Sequence, residues 1–386
     1  MNSLRNKRIL VTGGTGFIGG RIIEKLVLDH NVEVVALVHQ FKNASRLARF
    51  PIQMVSGDIG DYSSLEIAAS KCDAIIHAAM SMSDSIAQSR RSIVDGTKNV
   101  CEVAKANHSQ LVHFSTISVY GNKDVPSISE DLPKNPEGDN YGLLKYEAEL
   151  IVQKYQRDGL DATILQPTIV YGPWSFWSTY ARNLLKSGTI MLPLGGEGLC
   201  NAVYVDDVVE AVFLSLTRKE VPGPYLISGS KPITWKQYFC AHGNENIVSK
   251  IESISDAEIS DLRRELIISP PKNNILPPKW KVHLKGLIVE FPGFKKVYNS
   301  KNGLKFLYQK LRGRQQEIRL PSSELEIAAY ENSFKKVYPY ASHLSLMESK
   351  SEVSIQKAKN ELGYEPKFDI SLGGQLTRQW MKWAGI

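Results

Sequence analysis

The chain has 386 residues, 42% of them hydrophobic and 23% charged, with a net charge of +7. That is ample for a large core and excludes a disordered or fibrous class. No apolar run reaches the roughly 18 residues of a spanning helix, and the N-terminal MNSLRNKRIL has no secretory-signal pattern. The four scattered cysteines, Cys72, Cys101, Cys200 and Cys240, show no metal-ligand or redox spacing, so a metal-free protein of the reducing cytoplasm is expected.

In chain order, RILVTG reads as a β-branched strand. GFIGGRIIEKLVLDH follows with Ile18, Ile22 and Leu26 at helical spacing, and VEVVALV is a continuously apolar strand. IQMVSGD, SSLEIAAS and CDAIIHAA continue the alternation, then a helix from about Ser92 to Asn107 and the strand LVHFST. A helix around Tyr141 runs to about Arg157 and gives way to DATILQP. Strands alternating with helices predict a doubly wound parallel α/β sheet over residues 1–172, with a smaller α/β region over 173–386. In NAVYVDDVVEAVFLSL a strand leads into a helix that Asp206 and Asp207 are placed to cap. The alternation is lost from about Asn244 to Met347 and returns in SIQKAKNELGYEP and the closing LGGQLTRQWMKWAG.

The first strand ends in TGGTGFIGG, with Gly13, Gly16 and Gly19 three apart at a strand-to-helix turn. Backbone amides around Thr15, Phe17 and Ile18 point outward there, and the helix dipole favours an anion such as a dinucleotide diphosphate. After the second strand, ALVHQFKNASRLARF offers His39, Lys42 and Arg46 and no acid before Asp58. Bases there suit a 2′-phosphate, so NADP(H) is favoured, with NAD(H) the alternative.

These motifs together resemble the extended short-chain dehydrogenase/reductases, a superfamily that includes the epimerase/dehydratase group and the 3β-hydroxysteroid dehydrogenase-like and dihydroflavonol reductase-like enzymes. TGGTGFIGG is similar to the family's T-G-x-x-G-x-x-G. GDIGD resembles its adenine-contacting segment, which would use Asp58 and Ile59. DAIIHAAM resembles the strand that flanks the cofactor with Ala78 and Ala79, and FSTISVYG the segment that supplies a catalytic Thr116. YGLLK resembles Y-x-x-x-K, with Tyr141 placed 25 residues after Thr116. QPTIVYGP, with Pro167, and NAVYVDDVV resemble later motifs. The resemblance covers about Lys7 to His242 and again from about Val353, and implies a Rossmann fold and a homodimer. It also implies proton transfer by Tyr141, a Lys145 that holds the nicotinamide ribose and keeps the phenol acidic, and a Thr116 that bonds the substrate oxygen.

Departures narrow the reaction. The Asp-Glu pair that follows the catalytic Thr in 4,6-dehydratases is Ile117 and Ser118 here. Nucleotide-sugar epimerases place an Asn where Ile169 stands and an Arg near Cys200 and Asn201; the Arg of R-P-x-x-V-Y-G-P is Gln166. Trp174, Phe176, Trp177 and Tyr180 suit an aromatic wall for a ring-bearing substrate. The expected activity is hydride transfer between a nicotinamide and a secondary alcohol or ketone, with a nucleotide-sugar epimerase as the alternative. Residues 272–319 carry 12 Lys/Arg against two acids. This basic insert fits a solvated helix, a lid over an anionic substrate or a peripheral membrane contact; no module for nucleic acid accompanies the charge.

Overall fold

The first five strands of the computed structural model follow the order read from the sequence: β1 Arg8–Thr12, β2 Glu33–Val38, β3 Gln53–Ser56, β4 Ala74–His77 and β5 Gln110–Phe114. The structure describes residues 4–83, 85–122, 125–136, 138–218, 221–243, 250–268 and 336–386. With β6 (Ala162–Pro167) and β7 (Tyr225–Ile227) they form one parallel sheet, ordered β7-β6-β5-β4-β1-β2-β3. β1, β4 and β6 are buried almost throughout because helices cover both faces. Strand order reverses between β1 and β4, so the loops leaving β1, β4 and β5 open a crevice at one end of the sheet.

Helix α1 (Phe17–His30) crosses from β1 to β2, and α2 (Tyr62–Ala69) from β3 to β4. The helix expected from about Ser92 begins earlier, at Ile86, where Ser85 caps it by accepting from Gln88 N–H. It passes through a π-turn at Arg91–Asp95 into α3 (Gly96–Ala106). Helix α4 spans Asn140–Arg157, and its N-cap Asp139 accepts from Tyr141 N–H at 3.0 Å.

Beyond β6, Ile169–Tyr171 pairs in parallel with Ala202–Tyr204. Helices α5 (Phe176–Ser187), α6 (Val205–Thr217), α7 (Trp235–His242) and α8 (Ile370–Trp383) surround this smaller region. Asp206 and Asp207 sit in the first turn of α6, whose N-cap is Tyr204, so they do not cap it. Asp206 accepts from Arg21 Nε and Nη2, each at 2.7 Å, and Asp207 accepts from Lys367 N–H and Phe368 N–H at 2.7 and 3.2 Å. Long-range partners outbid the local cap. Residues 1–270 and 336–386 make one compact unit, and β7, from beyond residue 172, completes the seven-stranded sheet. The basic insert at 272–319 lies outside the described residues, among which no helix is long and apolar enough to cross a membrane.

Candidate active site

A cleft of about 330 Å³ opens where β1, β4, β5 and β6 end. One wall holds Phe17, Ile18 and Gly19 of the glycine loop with Ala78 and Ala79; another holds Thr116, Tyr141 and Lys145, with Pro167 between them. A larger cleft, about 540 Å³ between α5, α7 and α8, contains none of these motif residues. The smaller one is the candidate site because acid–base groups and an anion cradle meet there.

The cradle fits a dinucleotide diphosphate. Gly13 has φ +73°, and a Cβ on it would lie 2.6 Å from the Ala78 and Ala79 backbone. On Gly19 a Cβ would lie 2.4 Å from Gly13 O, so loop and helix touch. A Cβ on Gly16 would meet only Gly13 O, at 3.1 Å, and would otherwise fill the space in front of the loop. Gly16 is the N-cap of α1 and brings no side-chain acceptor to the first-turn amides, and no acid stands in that turn. Those donors suit a phosphate. Thr15, part-exposed, lies on the same loop.

Beneath the loop, Ala79 N–H donates to Thr12 Oγ1 (3.3 Å), Thr12 Oγ1 lies 2.8 Å from His77 Nδ1, and His77 Nε2 lies 3.1 Å from Thr97 Oγ1. Thr97 spends its own proton on Ile93 O, at 2.6 Å. The chain therefore fixes His77 as the Nε2–H tautomer, accepting from Thr12. Burial pushes His77 down to about 3, so the ring stays neutral.

At the far end of β2, the bases are mostly engaged. His39 Nε2 lies 3.3 Å from Asp58 Oδ2. Arg46 is ion-paired with Glu24 at 3.5 Å, lies over the Trp174 ring at 5.3 Å, and its Nη1 is 3.2 Å from where a Gly20 Cβ would stand. Lys42 is exposed. Asp58 Oδ1 accepts from Gly60 N–H at 2.7 Å, which shapes the loop after β3, while Ile59 is buried against Gly96.

The catalytic candidates converge because Asp139 starts α4 at the end of the sheet and the helix presents Tyr141 and Lys145 on one face. Thr116 caps the turn after β5, accepting from Ser118 N–H at 3.2 Å, and lines the same cleft as the Tyr141 phenol. Burial pushes Tyr141 up to about 12; the Thr116 hydroxyl lowers it and the Asp139 charge raises it. Lys145 Nζ donates to Phe114 O, and burial lowers it to about 8 against the pull of Glu149. The residues alone therefore leave Tyr141 protonated, and the lowering influence on it comes from Thr116, not from the Lys145 expected to supply it.

A buried polar layer, unread in the sequence, lies under this trio. Glu149, one turn beyond Lys145 and fully buried, accepts from Ser115 Oγ at 2.7 Å, Gln166 Nε2 at 2.8 Å and Gln153 Nε2 at 3.2 Å, and pairs with Lys134. Gln166 accepts in turn from Tyr120 O–H at 2.9 Å. The only local signal was the i,i+4 repeat of Tyr141, Lys145 and Glu149.

On the substrate side, Phe176 and Trp177 line the cleft. Tyr180 stacks on Phe176 and Tyr340, and Trp174, 56% exposed, faces Trp380. The departures are structural: Ile169 and Cys200 are core, and Asn201 bonds Ser351 O and Val353 N–H, both at 3.0 Å.

A family model described as NAD dependent epimerase/dehydratase family matches residues 9–228, more than half the chain. A dTDP-glucose 4,6-dehydratase of Mycobacterium tuberculosis (strain ATCC 25618 / H37Rv) is 30% identical over 239 residues, covering 57% of this chain and 72% of the relative. The N-acetyl-alpha-D-glucosaminyl-diphospho-ditrans,octacis-undecaprenol 4-epimerase of Escherichia coli O157:H7 is 27% identical, covering 64% of this chain and 75% of that one. The fold is shared with DesIV, a dTDP-glucose 4,6-dehydratase from Streptomyces venezuelae solved with NAD and TYD bound, at TM-score 0.64, 22% identity and 97% coverage of both chains. Cradle, trio and sheet order agree with that match, and the chain belongs to the NAD dependent epimerase/dehydratase family, within the extended short-chain dehydrogenase/reductases.

Proposed function

We propose that this protein is an oxidoreductase that transfers a hydride between a nicotinamide dinucleotide and a secondary alcohol or ketone of a ring-bearing small molecule. The observation that carries this reading is the meeting of Thr116, Tyr141 and Lys145 across one cleft from the glycine loop. The dinucleotide, when bound, supplies the hydride chemistry. Gly13, Gly16 and the first amides of α1 would hold its diphosphate. Thr116 would hold the substrate oxygen, and Tyr141 would exchange a proton with it. Burial favours the phenol as proton donor to a ketone. In the opposite direction, the positive charge of an oxidised nicotinamide bound in this cleft would favour the phenolate.

The cofactor reading now leans to NAD(H), away from NADP(H). Of the three bases expected for a 2′-phosphate, His39 faces Asp58 and Arg46 faces Glu24, which leaves Lys42. That supports the second reading, a nucleotide-sugar epimerase that oxidises and re-reduces one carbon and so keeps its NAD. Dehydration finds little support, since Ile117 and Ser118 offer no carboxylate pair.

Incubation of the protein and excess NAD⁺ with UDP-glucose or dTDP-glucose, followed by absorbance at 340 nm and proton NMR of the sugar, tests both. Net absorbance change with a ketosugar product supports the oxidoreductase. A new stereoisomer without net absorbance change supports the epimerase. Tyr141→Phe is expected to lower either rate about 10²–10⁴-fold while sparing dinucleotide binding; unchanged turnover in that variant would overturn the mechanism.

A further inference from the structure

We propose that Glu149 is a positioning residue which, in balance with Lys134, holds Thr116 and the Lys145 ammonium in their working arrangement. The inference rests on the reading of Tyr141 as proton carrier. It starts from two ties between one helix and one strand end. Lys145 donates to Phe114 O, and one turn later Glu149 accepts from Ser115 Oγ at 2.7 Å. These consecutive residues lead directly into Thr116. Ser115 N–H is also fixed to Leu165 O at 2.7 Å, and the neighbouring Gln166 side chain donates to Glu149. Helix α4 and the ends of β5 and β6 therefore meet on one carboxylate.

The second argument is charge. Glu149 is fully buried, and Lys134, from the segment before α4, is its ionic partner. The charged and titratable groups around Lys145 are Tyr141 and Glu149 on its own helix, His77 on β4, His113 on β5, and Lys134 behind Glu149. Burial keeps both imidazoles neutral. Glu149 is thus the negative charge that favours the Lys145 ammonium, and an ion pair with Lys134 shields part of such a charge. With Glu149 neutralised, Lys134 would be left uncompensated and would push Lys145 toward its neutral form.

The test is the titration of Tyr141 in protein labelled with ¹³Cζ-tyrosine and saturated with NAD⁺, its signal assigned by its loss in Tyr141→Phe. Glu149→Gln is expected to raise the apparent Tyr141 pKa by about one unit, because a less charged Lys145 favours the phenolate less. Glu149→Gln/Lys134→Met, which removes both charges, is expected to bring it back toward wild type. A purely structural role would not be reversed by a second core change. If the single variant does not fold, Lys134→Met compared with the double variant isolates the same charge, and the double variant is expected to titrate higher. A wild-type Tyr141 that titrates below 10 together with an unshifted Glu149→Gln, or a shift that the double variant leaves in place, overturns the proposal. A wild-type Tyr141 that does not titrate below 10 with NAD⁺ bound overturns the phenolate expected in the oxidising direction, and the proposal with it.

Discussion

Lys145 illustrates how a working residue opposes its own burial. Its pKa falls from an ordinary 10.5 to about 8. Between pH 8 and 10.5 the unfolded chain holds a proton that the folded chain has released, so stability rises with pH across that window. Below pH 8 both states are protonated, and the full cost of burying the ammonium, on the order of 3 kcal/mol, is felt. Lys145→Met removes this cost but leaves Phe114 O without its donor, which returns about 1–2 kcal/mol. The expected outcome is a small gain in Tm at pH 7 that shrinks or reverses by pH 10, with activity lost. A gain independent of pH would mean that the lysine is not depressed. The same titration sets an alkaline limb on activity: the ammonium is lost as pH rises through about 8, and any rate that depends on it falls there.

Among the elements, α4 carries the most chemistry, and its first turn depends on Asp139. That carboxylate accepts from Tyr141 N–H, one of the orphan donors of the helix start. Asp139→Ala is expected to cost about 1 kcal/mol of stability and to loosen Tyr141 against Thr116. The rate should fall while the dinucleotide Kd stays constant, because the cradle belongs to α1; a matching loss of dinucleotide affinity would contradict that division. The glycine loop and α4 were legible in the sequence because each is one local stretch whose spacing reports its geometry. The Glu149 layer was not, because Ser115, Lys134, Glu149 and Gln166 come from four segments that only the sheet brings together. Arg46 shows a related limit. A base after β2 suits a 2′-phosphate, but Glu24 and Trp174, from α1 and the approach to α5, already engage this one. The first turn of α6 shows the same limit: Asp206 and Asp207 answer to Arg21 and to the 367–368 backbone, not to their own helix.

At the scale of the whole molecule, the edge strand β7 has a consequence for how the chain is made. The seven-stranded sheet ends on Tyr225–Ile227, which pairs with Leu165–Pro167. A ribosome that has released only residues 1–172 has released every residue of the glycine loop and the trio, yet β6 still lacks its neighbour. Its edge is then a row of open amide and carbonyl groups flanked by apolar side chains, a template for another nascent chain. A fragment ending at residue 172 is expected to aggregate on expression, whereas the full chain stays in solution; a soluble fragment that binds dinucleotide would show the edge strand to be dispensable. The motifs that mark the site are thus complete in the sequence well before the sheet that holds them can close.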